Sequence, residues 1–134
     1  MGFQKKNRLI PYVIEKCLRN ESFDIKSADL IRDFCFVEDV MNGILKVLGN
    51  KKCLGEKINI ASGEPRKVRE IVEIIIDKIK LGNPKFKNIT TTIPQNKELY
   101  ANISKIKKLT DWFPIINIDD GLSKTINWYE NNGQ

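Results

Sequence analysis

The 134-residue sequence contains no histidine. That absence excludes every mechanism that depends on a histidine base or ligand, including the common Ser-His and Cys-His nucleophile pairs. Its three cysteines are an odd number at unrelated spacings. We therefore interpret Cys17 and Cys35, which have apolar neighbours, as small buried hydrophobic residues, and we expect a protein of the reducing cytoplasm.

Long apolar runs and glycine clusters are missing as well. No apolar run approaches the roughly 18 residues that a membrane span requires. The first residues have no apolar core after their positive charges, so we expect no signal peptide. The eight glycines are scattered, and none of them forms the glycine-rich strand-to-helix turn through which a backbone approaches a pyrophosphate. The sequence therefore predicts no dinucleotide-binding turn.

The charge is present but unpatterned, with a formal net charge of +6. A basic surface can bind nucleic acid, yet the lysines are spread over nearly every segment and no long basic run alternates with aromatic residues. We favour a solvated surface tuned to phosphate-bearing small molecules over a nucleic-acid interface.

Hydrophobic periodicity predicts one mixed α/β domain over residues 1–134, long enough to bury a core. Apolar residues at three- and four-residue steps predict helices, and short alternating or β-branched runs predict strands. The predicted helices span about 9–19, 38–48 and 68–81, with a short helix after Asn102 and a last helix after Asn117. The predicted strands span 23–26, 32–37, 57–61 and 89–93, and Trp112 is predicted to be a packing anchor.

The organising stretch is Arg32 to Val40, which reads as a short strand followed directly by a helix. Phe34, Phe36 and Val37 favour an extended backbone, and Glu38 and Asp39 place two carboxylates in a first helical turn. Arg32 at the start of that strand is a planar cation that can hold a phosphate by two hydrogen bonds.

This stretch resembles the Arg-Asp-aromatic-x-aromatic-Val-x-Asp-Val segment in the C-terminal part of the extended short-chain dehydrogenase/reductases, the nucleotide-sugar epimerases, dehydratases and reductases. Residues 59–64 resemble the family's Asn-Ile-Gly-Ser-Gly-Glu segment, and residues 109–114 resemble its Leu-Gly-Trp-x-Pro corner. The resemblance runs in family order from about residue 9 to residue 129. It implies a small substrate-binding lobe of helices with short strands, lacking the N-terminal Rossmann half and hence a complete Rossmann fold.

The resemblance also implies the residues that bind a nucleotide sugar. Arg32 would clamp the diphosphate, and the amide of Asn59 would contact a phosphate oxygen or a base edge. The strand before the turn would run along the nucleotide base. Its residues are Asp24, Ile25 and Lys26.

Two functional features of the family are absent. The family usually has an arginine after the proline that corresponds to Pro94, whereas no arginine follows Arg69 here. Lys97 could supply a point charge in its place, but not a bidentate fork. Tyr12 and Lys16 reproduce the spacing of the family's catalytic pair, but such a spacing arises by chance on any helix, so we assign no catalytic residue and no metal ligand.

Three functions remain open at this stage. The first is the substrate lobe of an NAD- or NADP-dependent enzyme, not catalytic alone and not expected to bind the cofactor alone. The second is a non-catalytic module that binds nucleotide-sugars or pairs with a separately encoded N-terminal half, and the third is a basic nucleic-acid-binding domain. Because the lobe packs an apolar face on the nucleotide-binding half in the family, we also expect self-association through that face.

Overall fold

The computed structural model describes residues 8–87 and 96–132. These residues form helices joined by short strands, which confirms the predicted mixed α/β class. The elements are α1 Leu9–Leu18, β1 Ser22–Ile25, β2 Ile31–Asp33, α2 Val37–Leu48, a 3₁₀ turn at Lys51–Cys53, β3 Pro65–Lys67, α3 Val68–Ile79, β4 Asn83–Phe86, β5 Glu98–Leu99, α4 Ser104–Thr110 and α5 Ile118–Asn132. Across the described residues, none of the helices combines the length and the apolar character that crossing a bilayer requires.

The chain divides into two compact units. Among the described residues, the first comprises residues 8–30, 67–87 and 122–132, and the second comprises residues 31–66 and 96–121. In the first unit, α1 packs on α3 because both helices carry the predicted apolar stripe. The fully or almost fully buried residues of this core are Val13, Ile14, Cys17, Phe23, Ile25, Ala28, Val68, Ile71, Val72, Ile75, Leu122 and Ile126.

A two-stranded parallel sheet completes the first unit, with Ser22 of β1 opposite Asn83 of β4. The strand at 23–26 is confirmed with a shift of one residue, whereas β4 was not predicted. The sequence predicted that the helix ends at about residue 81, because Gly82, Asn83 and Pro84 follow it. The helix stops earlier, at Lys80, which adopts the left-handed conformation with φ 60°, and Pro84 is tolerated in β4 because each strand of a two-stranded sheet is an edge.

The second unit is built on a three-stranded sheet in the order β3-β2-β5, in which β2 and β5 run parallel. Its core cluster consists of Ile103, Ile106 and Trp112. Trp112 is only 4% exposed, which confirms it as a packing anchor. Gly43 of α2 lies so close to this cluster that an added Cβ would be 3.1 Å from the Trp112 ring.

Two strand predictions in this unit were wrong. The strand expected to continue to Val37 ends at Asp33, and Val37 begins α2. Residues 57–61 form no strand. Ile58 and Ile60 instead pack against the Trp112 cluster from an irregular segment. The strand predicted at 89–93 lies outside the described residues.

An asparagine side chain accepts a hydrogen bond from the first turn of each of the last two helices. Asn117 Oδ1 accepts a hydrogen bond from Asp120 N at 2.9 Å, which confirms the predicted cap of α5. Asn102 Oδ1 accepts one from Ser104 N at 2.9 Å, although α4 begins at Ser104, one residue later than a cap at Asn102 implies. These bonds satisfy N–H groups that have no partner inside the helix.

Candidate functional site

Arg32 lies in the middle of β2 and is tied to the segment that carries Lys97. Its Nη1 donates to the carbonyl oxygens of Ile31 at 2.7 Å, Asn96 at 3.2 Å and Lys97 at 3.4 Å. All three bonds use the same nitrogen, so within the described residues Nε and Nη2 make no hydrogen bond. The guanidinium is thus held at one nitrogen and keeps two N–H-bearing nitrogens for a ligand. A planar cation in this state can form a bidentate pair with a phosphate.

Lys97 and Asn59, the other predicted phosphate contacts of this unit, are both exposed. The backbone oxygen of Lys97 accepts a hydrogen bond from Ile31 N at 2.8 Å, and the Lys97 side chain is exposed. Asn59 Nδ2 donates to the carbonyl oxygen of Asn102 at 3.4 Å. The structure therefore brings Arg32, Lys97 and Asn59 into one unit and links them through the backbone of residues 96–102.

Asp24, Ile25 and Lys26 belong to the first unit, so their contact with a base stays a prediction. Ile25 is 3% exposed and packs in the core, so only Asp24 and Lys26 present side chains at the surface. Asp24 pairs with Lys87 at 2.6 Å. The hydrogen bond from Lys87 lowers the pKa of Asp24, so this carboxylate is charged at neutral pH.

Asp33 was given no role from the sequence, yet it makes the densest set of polar contacts among the described residues around Arg32. Its Oδ1 accepts from Ser62 N at 2.8 Å and from Ser62 Oγ at 2.6 Å. Its Oδ2 accepts from Gly63 N at 2.9 Å and from Ala101 N at 3.2 Å. The sequence shows an aspartate near the end of a predicted strand and a Ser-Gly turn about 30 residues later. It does not reveal that the two lie together in the fold.

Asp39 in the first turn of α2 is 1% exposed. It accepts hydrogen bonds from Ile115 N at 3.1 Å and Ile116 N at 2.9 Å. The sequence predicted a carboxylate in the first turn, where the helix dipole stabilises negative charge. The structure adds that Asp39 fixes the segment after Trp112 to α2, so its role in this unit is structural.

α2 also presents an apolar face, here called the α2 face, to the solvent. The exposed fraction of its side chains ranges from 37% at Ile44 to 77% at Leu48. The α2 face consists of Val37, Met41, Ile44, Leu45 and Leu48. Beside it lies a groove of about 460 Å³, lined in part by Leu45, Trp112, Phe113 and Ile115. Contiguous apolar surface of this kind is typical of interaction sites.

Tyr12 and Lys16, which share the spacing of a catalytic pair, have structural contacts. The Tyr12 ring packs edge-on against Phe23 at 5.9 Å between centroids, and the Lys16 ammonium pairs with Glu21. Among the described residues, no group of His, Cys, Asp and Glu side chains could hold a metal ion.

The described strand-to-helix junctions lack the glycine-rich turn that a dinucleotide pyrophosphate requires. The strand-to-helix junctions β2–α2, β3–α3 and β5–α4 contain no glycine, and β3 runs into α3 without an intervening loop. A pyrophosphate at such a junction needs close approach to bare backbone at the helix N-terminus. We therefore assign no step of a reaction on this chain to a dinucleotide.

The chain is similar in sequence to known proteins. Residues 2–61 match the model of the NAD dependent epimerase/dehydratase family. The chain is 35% identical to a UDP-glucuronate 4-epimerase of Thermodesulfobacterium geofontis over 103 residues, which are 75% of this chain and 31% of that protein. It is 27% identical to a CDP-abequose synthase of Salmonella muenchen over 128 residues, 94% of this chain and 43% of that protein.

A solved structure shows the same fold. The dTDP-glucose 4,6-dehydratase from Bacillus anthracis, in complex with NAD, superimposes with a TM-score of 0.85 at 26% identity over 98% of this chain and 42% of its own. The chain thus spans less than half the length of the relatives that it matches. It belongs to the NAD-dependent epimerase/dehydratase family and corresponds to the C-terminal portion of its members.

Proposed function

We propose that this chain is the substrate-binding lobe of an NAD- or NADP-dependent nucleotide-sugar epimerase, dehydratase or reductase, and that it binds the diphosphate of the nucleotide sugar. The observation that carries the proposal is the state of Arg32. One guanidinium nitrogen is anchored on the carbonyl oxygens of Ile31 and Asn96, with a longer contact to that of Lys97, and within the described residues the other two nitrogens have no partner. Because the guanidinium is already ordered, less side-chain conformational entropy is lost when it forms a bidentate pair with a ligand.

The names of the relatives support a diphosphate as the shared ligand chemistry. They include a UDP-sugar epimerase, a CDP-sugar synthase and a dTDP-sugar dehydratase, which differ in base and sugar but have the diphosphate in common. In this proposal Arg32 clamps the diphosphate, while Lys97 and Asn59 add a charge and an amide. Asp24, Ile25 and Lys26 run along the base.

The lobe is proposed to bind and orient the substrate, and we assign it no redox step. NAD or NADP would be held by a nucleotide-binding half, which is also the partner that we propose for the α2 face. The exposed apolar side chains of that face support the proposal, because burying them against a partner is favourable by about 25 cal/mol per Å². Without that half, we expect two copies of the chain to associate through the same face.

The test of the proposed function is a ligand panel in a thermal-unfolding experiment. UDP, dTDP, GDP, CDP, NAD and NADP are added separately at millimolar concentration. A ligand that binds only the folded state raises the melting temperature, and a concentration of about 100 Kd adds about 2.7 kcal/mol of stability. We expect at least one nucleoside diphosphate to raise the melting temperature and neither dinucleotide to do so.

Two outcomes would overturn the proposal. If no nucleoside diphosphate changes the melting temperature, the described Arg32 cluster does not form a diphosphate site. If NAD or NADP alone stabilises the chain, the lobe binds a cofactor that its strand-to-helix junctions do not fit.

A further inference from the structure

Three segments of the second unit carry the residues proposed to contact the diphosphate. Arg32 lies on β2, Asn59 lies just before the Ser62-Gly63 turn, and Lys97 lies immediately before β5, four residues before Ala101. The backbone already ties Lys97 to β2, because Ile31 N donates to the Lys97 oxygen at 2.8 Å and β2 pairs with β5. The side-chain tie of Asn59 is weaker, since its Nδ2 lies 3.4 Å from the Asn102 oxygen, outside the usual range for N–H···O bonds. The turn after Asn59 therefore needs a further link to β2.

Asp33 supplies this link and a second tie to the segment after Lys97. The carboxylate stands next to Arg32 in the chain and receives two donors from Ser62, one from Gly63 and one from Ala101. The three bonds to the turn are 2.6 to 2.9 Å long, and the bond from Ala101 N is 3.2 Å. Bonds from N–H and O–H donors to a carboxylate are about twice as strong as neutral ones. The end of β2, the turn after Asn59 and the segment after Lys97 therefore meet at this one side chain.

The Ser62-Gly63 turn is tightly packed against the side chain of Ile103. Gly63 has φ 73°, and a Cβ at this position would lie 3.0 Å from the Ile103 side chain. A glycine at this φ lets the backbone turn its N–H toward Asp33 without a steric cost.

We propose that Asp33 is the positioning residue of the diphosphate site, holding Arg32, Asn59 and Lys97 in one cluster. The inference rests on the proposed function, because it assigns these three residues to one ligand. Asp33 itself does not contact the ligand in this proposal. Its four acceptor contacts are used by the protein, and its effect reaches the ligand through the backbone of the three segments.

The test compares Asp33→Asn with Asp29→Asn, which removes the same charge at an exposed turn in the first unit. In Asp33→Asn, an amide NH₂ replaces one carboxylate oxygen and turns a donor toward backbone N–H groups, so the bonds on one side of the carboxylate are lost. The dissociation constant of the nucleoside diphosphate selected in the ligand panel is measured by calorimetry at a temperature where all variants are folded by circular dichroism. We expect Asp33→Asn to weaken binding about tenfold or more and Asp29→Asn to leave it unchanged.

A purely structural role for Asp33 gives a different result. In that case Asp33→Asn lowers the melting temperature but leaves the dissociation constant of the folded protein unchanged, and the proposal is overturned. If Asp33→Asn does not fold, Ser62→Ala takes its place, because it removes the Oγ bond and leaves the three backbone bonds. A measurable weakening of binding by Ser62→Ala supports the proposal, and unchanged binding overturns it.

A second readout separates this inference from the proposed function. The ¹H–¹⁵N signal of Arg32 Nε and the amide signals of residues 96–102 report on the order of the cluster without a ligand. If the wild-type chain binds no nucleoside diphosphate, the proposed function fails. The positioning role of Asp33 is still supported if Asp33→Asn makes these groups mobile and Asp29→Asn does not. It is overturned if Asp33→Asn leaves them as ordered as in the wild type.

Discussion

Asp33 and Asp39 accept hydrogen bonds mainly from backbone N–H groups, and within the described residues neither forms a salt bridge with a lysine or an arginine. Asp33 accepts from Ser62, Gly63 and Ala101, and Asp39 accepts from the backbone of residues 115 and 116. A buried carboxylate is expensive unless such donors replace its water. These two residues therefore fix loops that lie far from them in the sequence.

Asp39→Asn should destabilise the protein, because its amide would point a donor at one of two N–H groups that now donate to the carboxylate. The loss of a buried hydrogen-bond partner costs about 1–3 kcal/mol. Urea denaturation followed by circular dichroism measures the change in the free energy of unfolding. Asp29→Asn at the exposed turn serves as the control, and a change below about 0.5 kcal/mol for both variants would contradict the role given to Asp39.

Two thiols make stability depend on alkaline pH. Cys17 is buried as predicted, whereas Cys35, which was also expected to be buried, is only partly so. Burial raises the pKa of Cys17 from 9.0 to about 11, and burial together with Asp39 and Asp33 raises that of Cys35 to about 11. Between these pH values the folded protein holds more protons than the unfolded chain, so the free energy of unfolding falls as the pH rises from about 9 to about 11.

Cys17→Ala tests this pH dependence. Between about pH 9 and 11 its melting temperature should fall less steeply with pH than that of the wild type. Ile14→Val, at another fully buried position of the same helix, is the control for lost packing volume and should keep the wild-type slope. Parallel curves for Cys17→Ala and the wild type would show that Cys17 does not titrate as its burial implies.

At the scale of the elements, the turn between α3 and β4 depends on Gly82. This residue has φ 94°, and an added Cβ would lie 2.7 Å from Cys17 Sγ and 3.0 Å from Cys17 Cα. Its N–H also donates to Asn20 Oδ1 at 3.1 Å. The turn thus combines a backbone conformation that side chains rarely adopt with close contact to α1.

Gly82→Ala should therefore cost more stability than Gly55→Ala. Gly55 also has a positive φ of 75°, but a Cβ there would meet no atom within 4 Å, so its substitution reports backbone strain alone. We expect about 1–2 kcal/mol for Gly55→Ala and about 1–3 kcal/mol more for Gly82→Ala because of overpacking. Equal losses in urea denaturation would contradict the close contact with Cys17.

The elements that the sequence predicted well are those fixed by local signals. The end of α2 at Leu48 and the Asn117 cap of α5 follow from periodicity and capping within a few residues. β4 was missed and a strand at 57–61 was wrongly predicted, because strand formation depends on which distant segment lies alongside. The site shows the same division. Arg32 could be selected from its motif, whereas the role of Asp33 depends on donors 29 to 68 residues away.

At the scale of the whole molecule, the α2 face should cause self-association. Size-exclusion chromatography with light scattering at tens of micromolar should show a species larger than the monomer, because Leu45 and Leu48 are 63% and 77% exposed and gain from burial. Leu48→Lys should shift the protein toward the monomer. Leu81→Lys, at an exposed leucine of the first unit, should not, and a monomeric wild type would contradict the prediction.

The measurement that tests the central claim most directly is a calorimetric titration of the wild type, Arg32→Lys and Arg19→Lys with the nucleoside diphosphate selected in the ligand panel. Arg32→Lys keeps the charge and removes the planar fork, so we predict that it weakens binding about 10- to 100-fold, while Arg19→Lys, at an exposed position at the end of α1, binds like the wild type. Equal affinity of the wild type and Arg32→Lys would show that Arg32 does not clamp the diphosphate.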